Sequence, residues 1–294
     1  MRSIESAGYC LKKLANKPPK FYLVYLSFGG YNLRLYFRTD FMNKISENWL
    51  LKTPIDALSF DCDGTLSAIE GIDELAVMNG VGPAVQKLTE EAMAKTGLNE
   101  ALYQYRLNLV KPTQDQTLAL AQQYFSHKVP DLLEVIQLLQ SLKKELYIIS
   151  AGLYPSVFRF AQLLNIPGEN VFSVNINFDS EGHYVDFDHS SPLITDEGKN
   201  TIGAELKKKH PRIIHVGDGL NDYSIKEQVV RFIGYGGVFY RERIAALCEY
   251  YVKPPSMASI LPLCLTQQEA QQLTVSQRAL YQKGLELLWI NHDL

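Results

Sequence analysis

Asp61 and Asp63, two residues apart in the run Asp61-Cys62-Asp63-Gly64-Thr65, are the residues of this chain best suited to chemistry. The apolar run Ile55-Asp56-Ala57-Leu58-Ser59-Phe60 precedes them, so they read as the carboxyl end of a buried strand opening into a loop. Carboxylates this close repel each other in a desolvated crevice unless positive charge sits between them. A hard cation serves, and Mg²⁺ is the usual partner of a few carboxylates plus a phosphate. Gly64 lets the backbone turn tightly and approach a ligand.

Three further places carry polar punctuation. Ser150-Ala151-Gly152 follows the strand-like run Leu146–Ser150, and Gly217-Asp218-Gly219-Leu220-Asn221-Asp222 follows Arg212–Val216. Lys199 opens a lysine-rich helical stretch just before the latter strand. Taken singly, Ser150 reads as a helix N-cap, Lys199 as a solvated lysine, and residues 217–222 as a plain turn. Converging at one edge of one sheet, they supply what phosphoryl transfer needs. One carboxylate attacks phosphorus, and a second protonates the leaving oxygen and later takes a proton from water. A cation, a lysine and hydroxyl or backbone donors absorb the charge on the transferring group. The chain has no GxxxxGK[ST] loop, which disfavours a nucleoside-triphosphate machine.

The elements that must position these residues alternate from residue 55 onward. Strand 55–61 precedes a mostly helical stretch over about 72–144. Then come strand 146–150, a helix near 154–165 and strand Val171–Ile176. The run Phe172–Phe187, turning at Asp179-Ser180-Glu181-Gly182, has hairpin chemistry. A helix over 198–209, strand 212–216, a short helix and strand 231–233 follow. Strands separated by helices predict an α/β fold, a doubly wound Rossmann-like parallel sheet, with ligands bound beyond the strand ends at a switch point. About 85 residues separate the first two of these strands, far beyond one crossover, which predicts a helical cap inserted after the first strand. The expected divisions are a catalytic core of 42–66 and 140–265, a cap of 67–139 and a helical extension of 266–294 docked on the core. Residues 1–41 are basic and aromatic and break at Pro18-Pro19. They read either as a hairpin around Gly29-Gly30 or, the preferred expectation, as an extension outside the fold that begins at Met42.

The four motifs in this order resemble the haloacid dehalogenase superfamily, and residues 55–255 resemble its phosphoserine phosphatase branch. The resemblance implies Asp61 as nucleophile and Asp63 as general acid/base, with the Asp63 main-chain carbonyl on Mg²⁺. Asp61 and Asp218 would also ligate the metal, and Asp222 would support it. Ser150, Ala151, Lys199 and Asn221 would surround the phosphate. In the cap, Glu70-Gly71-Ile72-Asp73-Glu74-Leu75-Ala76 is similar to the segment whose first glutamate meets the substrate ammonium. Glu91-Ala92-Met93 and Arg106-Leu107-Asn108-Leu109-Val110-Lys111 resemble segments that line the substrate, Arg106 binding its carboxylate. The residue chemistry agrees, since Leu102, Arg106 and Leu109 fall at i, i+4 and i+7 on one helical face. An arginine on an apolar stripe needs an anionic partner, and its planar fork suits a carboxylate. The alternatives are an internal salt bridge for Arg106 and a solvated loop position for Glu70. The chain departs from the branch at Gly64, where serine is common, and at Ala151, where a second glycine is common. Both departures bear on the substrate rather than on dephosphorylation.

Composition narrows the classes. Of 294 residues, 46% are hydrophobic and 21% charged, as in an ordinary globular protein of one large or two small domains. A net charge of −3 gives no electrostatic case for nucleic acid or an anionic membrane. The run Phe21–Phe28 is far short of the roughly 20 residues that span a bilayer. Cys10, Cys62, Cys248 and Cys264 are scattered without metal-ligand spacing, which predicts reduced thiols and a cytoplasmic protein. The expected partner is therefore a small phosphorylated metabolite, phosphoserine first. The competing readings are a phosphatase or phosphotransferase for another metabolite and, from a different class, a phospho-aspartate signalling or binding module. Such a module needs neither an acid at plus two nor a cap.

Overall fold

The computed structural model describes residues 21–28, 31–38, 49–91 and 97–291. They fall into two units, Met1–Leu50 and Leu51–Leu294. In the first, β1 (Phe21–Phe28) and β2 (Tyr31–Arg38) pair antiparallel, with Phe28 opposite Tyr31.

The second unit is built on a six-stranded sheet. Its strands are β3 (Ala57–Phe60), β4 (Glu145–Leu153), β5 (Val171–Val174), β8 (Ile213–Gly217), β9 (Arg231–Tyr235) and β10 (Tyr250–Val252). They lie in the order β10-β9-β8-β3-β4-β5, every pairing parallel. All residues of β3 and β8 are buried, as expected where helices cover both faces and strands read as continuous apolar runs. The chain winds from β3 outward through β4 and β5, then returns to the other side of β3 as β8. The order thus reverses at β3, and the carboxyl ends of β3, β4 and β8 open the crevice where such sheets bind ligands. This is the doubly wound α/β fold expected from the sequence.

Between β3 and β4 stand α1 (Gly71–Met78), α2 (Gly82–Glu91), α3 (Glu100–Val110), α4 (Gln114–Ser126) and α5 (Leu132–Ser141). Asn99 caps α3 by accepting the Leu102 N–H at 3.0 Å, and Thr113 with Gln116 forms a capping box on α4. The buried face of α3 differs from the expected one: it carries Tyr103, Arg106, Leu107 and Val110. Leu102 and Leu109 flank that stripe, half-buried, while Arg106 sits at its centre.

Beyond β4 come α6 (Tyr154–Leu163), the hairpin β6 (Ile176–Phe178) and β7 (Tyr184–Phe187), α7 (Gly198–Lys209), α8 (Leu220–Tyr223) and α9 (Glu242–Leu247). The single strand expected over Val171–Ile176 divides at Asn175: β5 stays in the large sheet, and Ile176 pairs with Phe187 instead. Asp179 Oδ1 accepts the N–H groups of Glu181 and His183, closing the turn read from the sequence. Among its described residues, the helical extension expected over 266–294 is two helices. After α10 (Leu261–Cys264), α11 (Gln267–Gln272) ends before extended Leu273, and α12 (Val275–Asn291) begins after Thr274, whose backbone N–H bonds Gln277 Oε1 at 3.0 Å. Lys144, Glu269, Lys283 and Asp131 tie this segment down through the pairs Lys144–Glu269 and Lys283–Asp131. No helix among the described residues is long and apolar enough to cross a membrane.

Candidate active site

Asp61 leaves β3 with its N–H bonded to Val216 O of β8 at 3.0 Å, so the sheet itself sets where the carboxylate starts. The following loop closes on Cys62 O, which accepts from Leu66 N and Ser67 N at 3.0 Å. Gly64 adopts φ +68°, and a Cβ there would press on Asp218 and Phe239. The residue is glycine because both the backbone conformation and the neighbouring carboxylate demand it. This turn brings Asp63 back over the strand ends.

Lys199 is buried at the start of α7, with Nζ 2.7 Å from Asp61 Oδ1 and 2.5 Å from Asp222 Oδ1. Asp222 is saturated by donors: Oδ2 accepts the Gly219 N–H at 2.9 Å, and Oδ1 also accepts His215 Nε2–H at 3.0 Å. His215 Nδ1 accepts in turn from Ser59 Oγ at 2.8 Å. Burial lowers the His215 pKa, which keeps the ring neutral and suits one donor and one acceptor nitrogen. Burial pushes Asp222 upward, but Lys199 and His215 outweigh it and hold the carboxyl at about 2. Lys199 stays a cation, its two carboxylates outweighing burial. Asp222 therefore acts chiefly by holding Lys199 against Asp61.

Asp218 faces an arginine that the sequence reading missed. Arg241 donates from Nε at 2.9 Å and from Nη2 at 2.8 Å to Asp218 Oδ2, and Nη2 lies 3.3 Å from Glu70 Oε1. Its signal was available, since Arg241 follows the glycine-rich end of β9, another strand end at the same sheet edge. Glu70 is accordingly a half-buried, paired residue and not a solvated one. Burial and the charges of Asp63 and Asp218 raise its pKa well above the usual range, against Arg241.

One atom each of Asp61, Asp218 and Asp222 lie within 4.8 Å of one another. Burial and the Asp222 charge push Asp61 well above the usual carboxylate range, and burial pushes Asp218 up to about 6. Lys199 and Arg241 thus leave an excess of negative charge, and every donor in the cluster is a carboxylate oxygen. That set fits a hard divalent cation such as Mg²⁺.

One cleft is lined by Asp61, Asp63, Glu70, Arg106, Ser150, Ala151, Asp218 and Asn221. These residues were expected together from the sequence, and the fold brings them together. Ser150 Oγ accepts the Gly152 N–H at 2.9 Å and points toward Asp63 Oδ2 at 3.5 Å. Ala151 O accepts from Tyr103 Oη at 2.9 Å. Arg106 is 4% exposed. Its Nη1 donates to Thr89 Oγ1 at 3.3 Å, Nε has no hydrogen-bond partner, and among the described residues it joins no ion pair. The internal salt bridge considered as its alternative is therefore not seen among them. Met93 lies outside the described residues.

Comparison with known proteins adds a family. Residues 55–225 match the haloacid dehalogenase-like hydrolases. Phosphoserine phosphatase of Bos taurus is 35% identical over 199 residues, which is 67% of this chain and 88% of the relative. The chloroplastic phosphoserine phosphatase of Arabidopsis thaliana is 31% identical over 206 residues, 67% of this chain and 68% of the relative. A phosphoserine phosphohydrolase-like protein from Francisella tularensis superposes with a TM-score of 0.61 at 26% identity, over 68% of this chain and 96% of that one.

Proposed function

The chain belongs to the haloacid dehalogenase-like hydrolase family and is a phosphatase, and from that premise we propose that it hydrolyses O-phosphoserine to serine and phosphate. Arg106 carries the choice of substrate. A buried guanidinium with an unpartnered Nε, in the same cleft as Asp61 and Asp63, needs an anion other than the phosphate held at the strand ends. A carboxylate supplies it. Glu70 supports the reading as a carboxyl group in the same cleft, shared with Arg241, whose oxygens can accept from an ammonium.

In this reaction an Asp61 oxygen attacks phosphorus while Asp63 gives a proton to the departing serine oxygen, leaving an aspartyl phosphate. Asp63, now ionised, takes a proton from the water that attacks the same phosphorus, and phosphate leaves Asp61. Lys199, Ser150, Asn221 and the backbone at Ala151 hold the phosphoryl oxygens as charge develops on them. Asp61, Asp218 and the Asp63 carbonyl would hold Mg²⁺, with Asp222 behind them; bound there, the ion supplies charge neutralisation at the phosphoryl group. Residues 67–139 serve as the cap that closes over the ester. Cys62, Cys248 and Cys264 are free, in keeping with work in a reducing compartment such as the cytoplasm.

The test is phosphate release across a panel of phosphorylated metabolites, each with Mg²⁺ and with EDTA. Phosphoserine should lead the panel and EDTA should silence it. Equal rates for phosphoserine and for esters lacking a carboxylate would remove the substrate assignment.

A further inference from the structure

Asp63 is gripped asymmetrically. Its Oδ1 accepts the Gly71 N–H at 2.5 Å and the Tyr124 hydroxyl at 2.8 Å, whereas Oδ2 has only Ser150 Oγ at 3.5 Å. Tyr124 comes from α4, in the helical insert, and reaches across to the loop that follows β3. It is 1% exposed, and its ring stacks on Phe160 at 5.5 Å. Ser67 Oγ donates to Tyr124 O at 3.0 Å, fastening the end of α4 to the same loop. Room for the hydroxyl exists because residue 71 is glycine: a Cβ there would overlap the phenol oxygen. Burial and the Asp63 charge hold the Tyr124 pKa well above its ordinary value, so the group remains a donor.

We propose that Tyr124 is a positioning residue for proton transfer, fixing Asp63 so that Oδ2 is the oxygen that gives the proton to the leaving group. The inference rests on the phosphatase reading and deepens it. A carboxylic acid free to rotate presents either oxygen, whereas Tyr124 and Gly71 occupy Oδ1 and leave Oδ2 toward Ser150 and the cleft. As the P–O ester bond breaks, the Oδ2 proton passes to the departing alkoxide, which leaves as the alcohol, and Asp63 becomes a carboxylate. In the second step the attacking water returns a proton to Oδ2 as the bond from phosphorus to Asp61 breaks. Because Tyr124 belongs to the insert, Asp63 is aligned only while α4 is seated over the strand ends.

The test compares kcat/KM for an alkyl ester, phosphoserine, with that for p-nitrophenyl phosphate, whose leaving group departs without a proton. Asp63→Asn sets the ratio that follows complete loss of the acid. Tyr124→Phe should lower the phosphoserine value about 10- to 100-fold, up to the lower end of what a general acid contributes, and change the aryl ester by less than about threefold. Gly71→Ala, which displaces the hydroxyl without deleting it, should shift the ratio the same way. Equal losses on both esters, an unchanged ratio in both variants, or loss of cooperative thermal unfolding in Tyr124→Phe would assign Tyr124 to structure and end the proposal. Failure of the phosphatase reading looks different, appearing as an inactive wild type or a fully active Asp61→Asn. Should the wild type favour another alkyl phosphate, that ester takes the place of phosphoserine and the ratio is read unchanged.

Discussion

The strand ends and the helical insert contribute to one cleft but balance their charges in opposite ways. At the strand ends Lys199 lies between Asp61 and Asp222, Arg241 holds Asp218, and His215 completes Asp222 from below. That half compensates much of its own charge and is aimed at whatever phosphoryl group arrives. The insert instead buries Arg106 beside the Tyr103 ring and the Thr89 hydroxyl, with Asp73 on the far side of Thr89, and leaves Nε unpartnered. A buried unpartnered donor costs about 1–3 kcal/mol, which a bound anion would recover. On the proposed reading, chemistry belongs to the half that is largely charge-paired, and selectivity to the half that is left wanting.

Substitutions on the two sides should separate these roles. Asp61→Asn has the largest expected effect, at least about 10³-fold in kcat on every phosphomonoester, since the proposed reaction forms its covalent intermediate on Asp61. Phosphate release measured with phosphoserine and with p-nitrophenyl phosphate checks this, and selective loss on one of them would blur the division. Arg106→Ala comes next. It should lower kcat/KM for phosphoserine by about 10- to 150-fold, the equivalent of a charge-assisted hydrogen bond. Esters lacking a carboxylate should be nearly untouched; a matching loss on them would make Arg106 a structural residue of the insert.

The smallest effect lies away from the cleft. Burial raises the Glu269 pKa, but hydrogen bonds from Lys144 and Thr266 outweigh it and hold the carboxyl below its ordinary value. Its stabilisation is present above the unfolded value of about 4.3 and is lost as pH falls through the lower folded value. Glu269→Gln should therefore lower Tm by roughly 2–4 °C at pH 7, and the difference from wild type should shrink below about pH 4. Neither ester's kcat should change. A pH-independent difference would mean that the pair acts through packing.

The two halves also differed in how far they could be read from residues alone. Asp61, Asp63, Ser150, Asp218 and Asp222 punctuate apolar strands, Lys199 opens the helix before one of them, and the rule that parallel strands converge on one edge was enough to assemble them. Arg106 was found on a face misphased by one position, because Leu102 and Leu109 resemble core residues but flank the buried stripe of α3. Tyr124 was missed because its meaning lies in a contact across the fold; Arg241 stood at a readable strand end, but its partners Asp218 and Glu70 are distant in the chain. Tyr124 reaches Asp63 from 61 positions away and Arg241 reaches Glu70 from 171. The break at Leu273 did leave a local signal that the amphipathic pattern overrode: Thr274, Val275 and Ser276 are weak helix formers, and Thr274 with Gln277 has capping-box spacing.

The reversal of strand order at β3 has a consequence for how activity responds to stress. Asp61 stands on the most deeply bracketed strand of the sheet, paired on one side to β4 and on the other to β8, more than 150 residues further along. Such long-range pairings form late and open only with the whole sheet. Turnover of an undemanding ester therefore becomes a gauge of global cooperativity, surviving until the sheet itself melts. The helices of the insert share no strand ladder with that sheet and can open first. In rising denaturant, discrimination between phosphoserine and an aryl phosphate should fade before hydrolysis does.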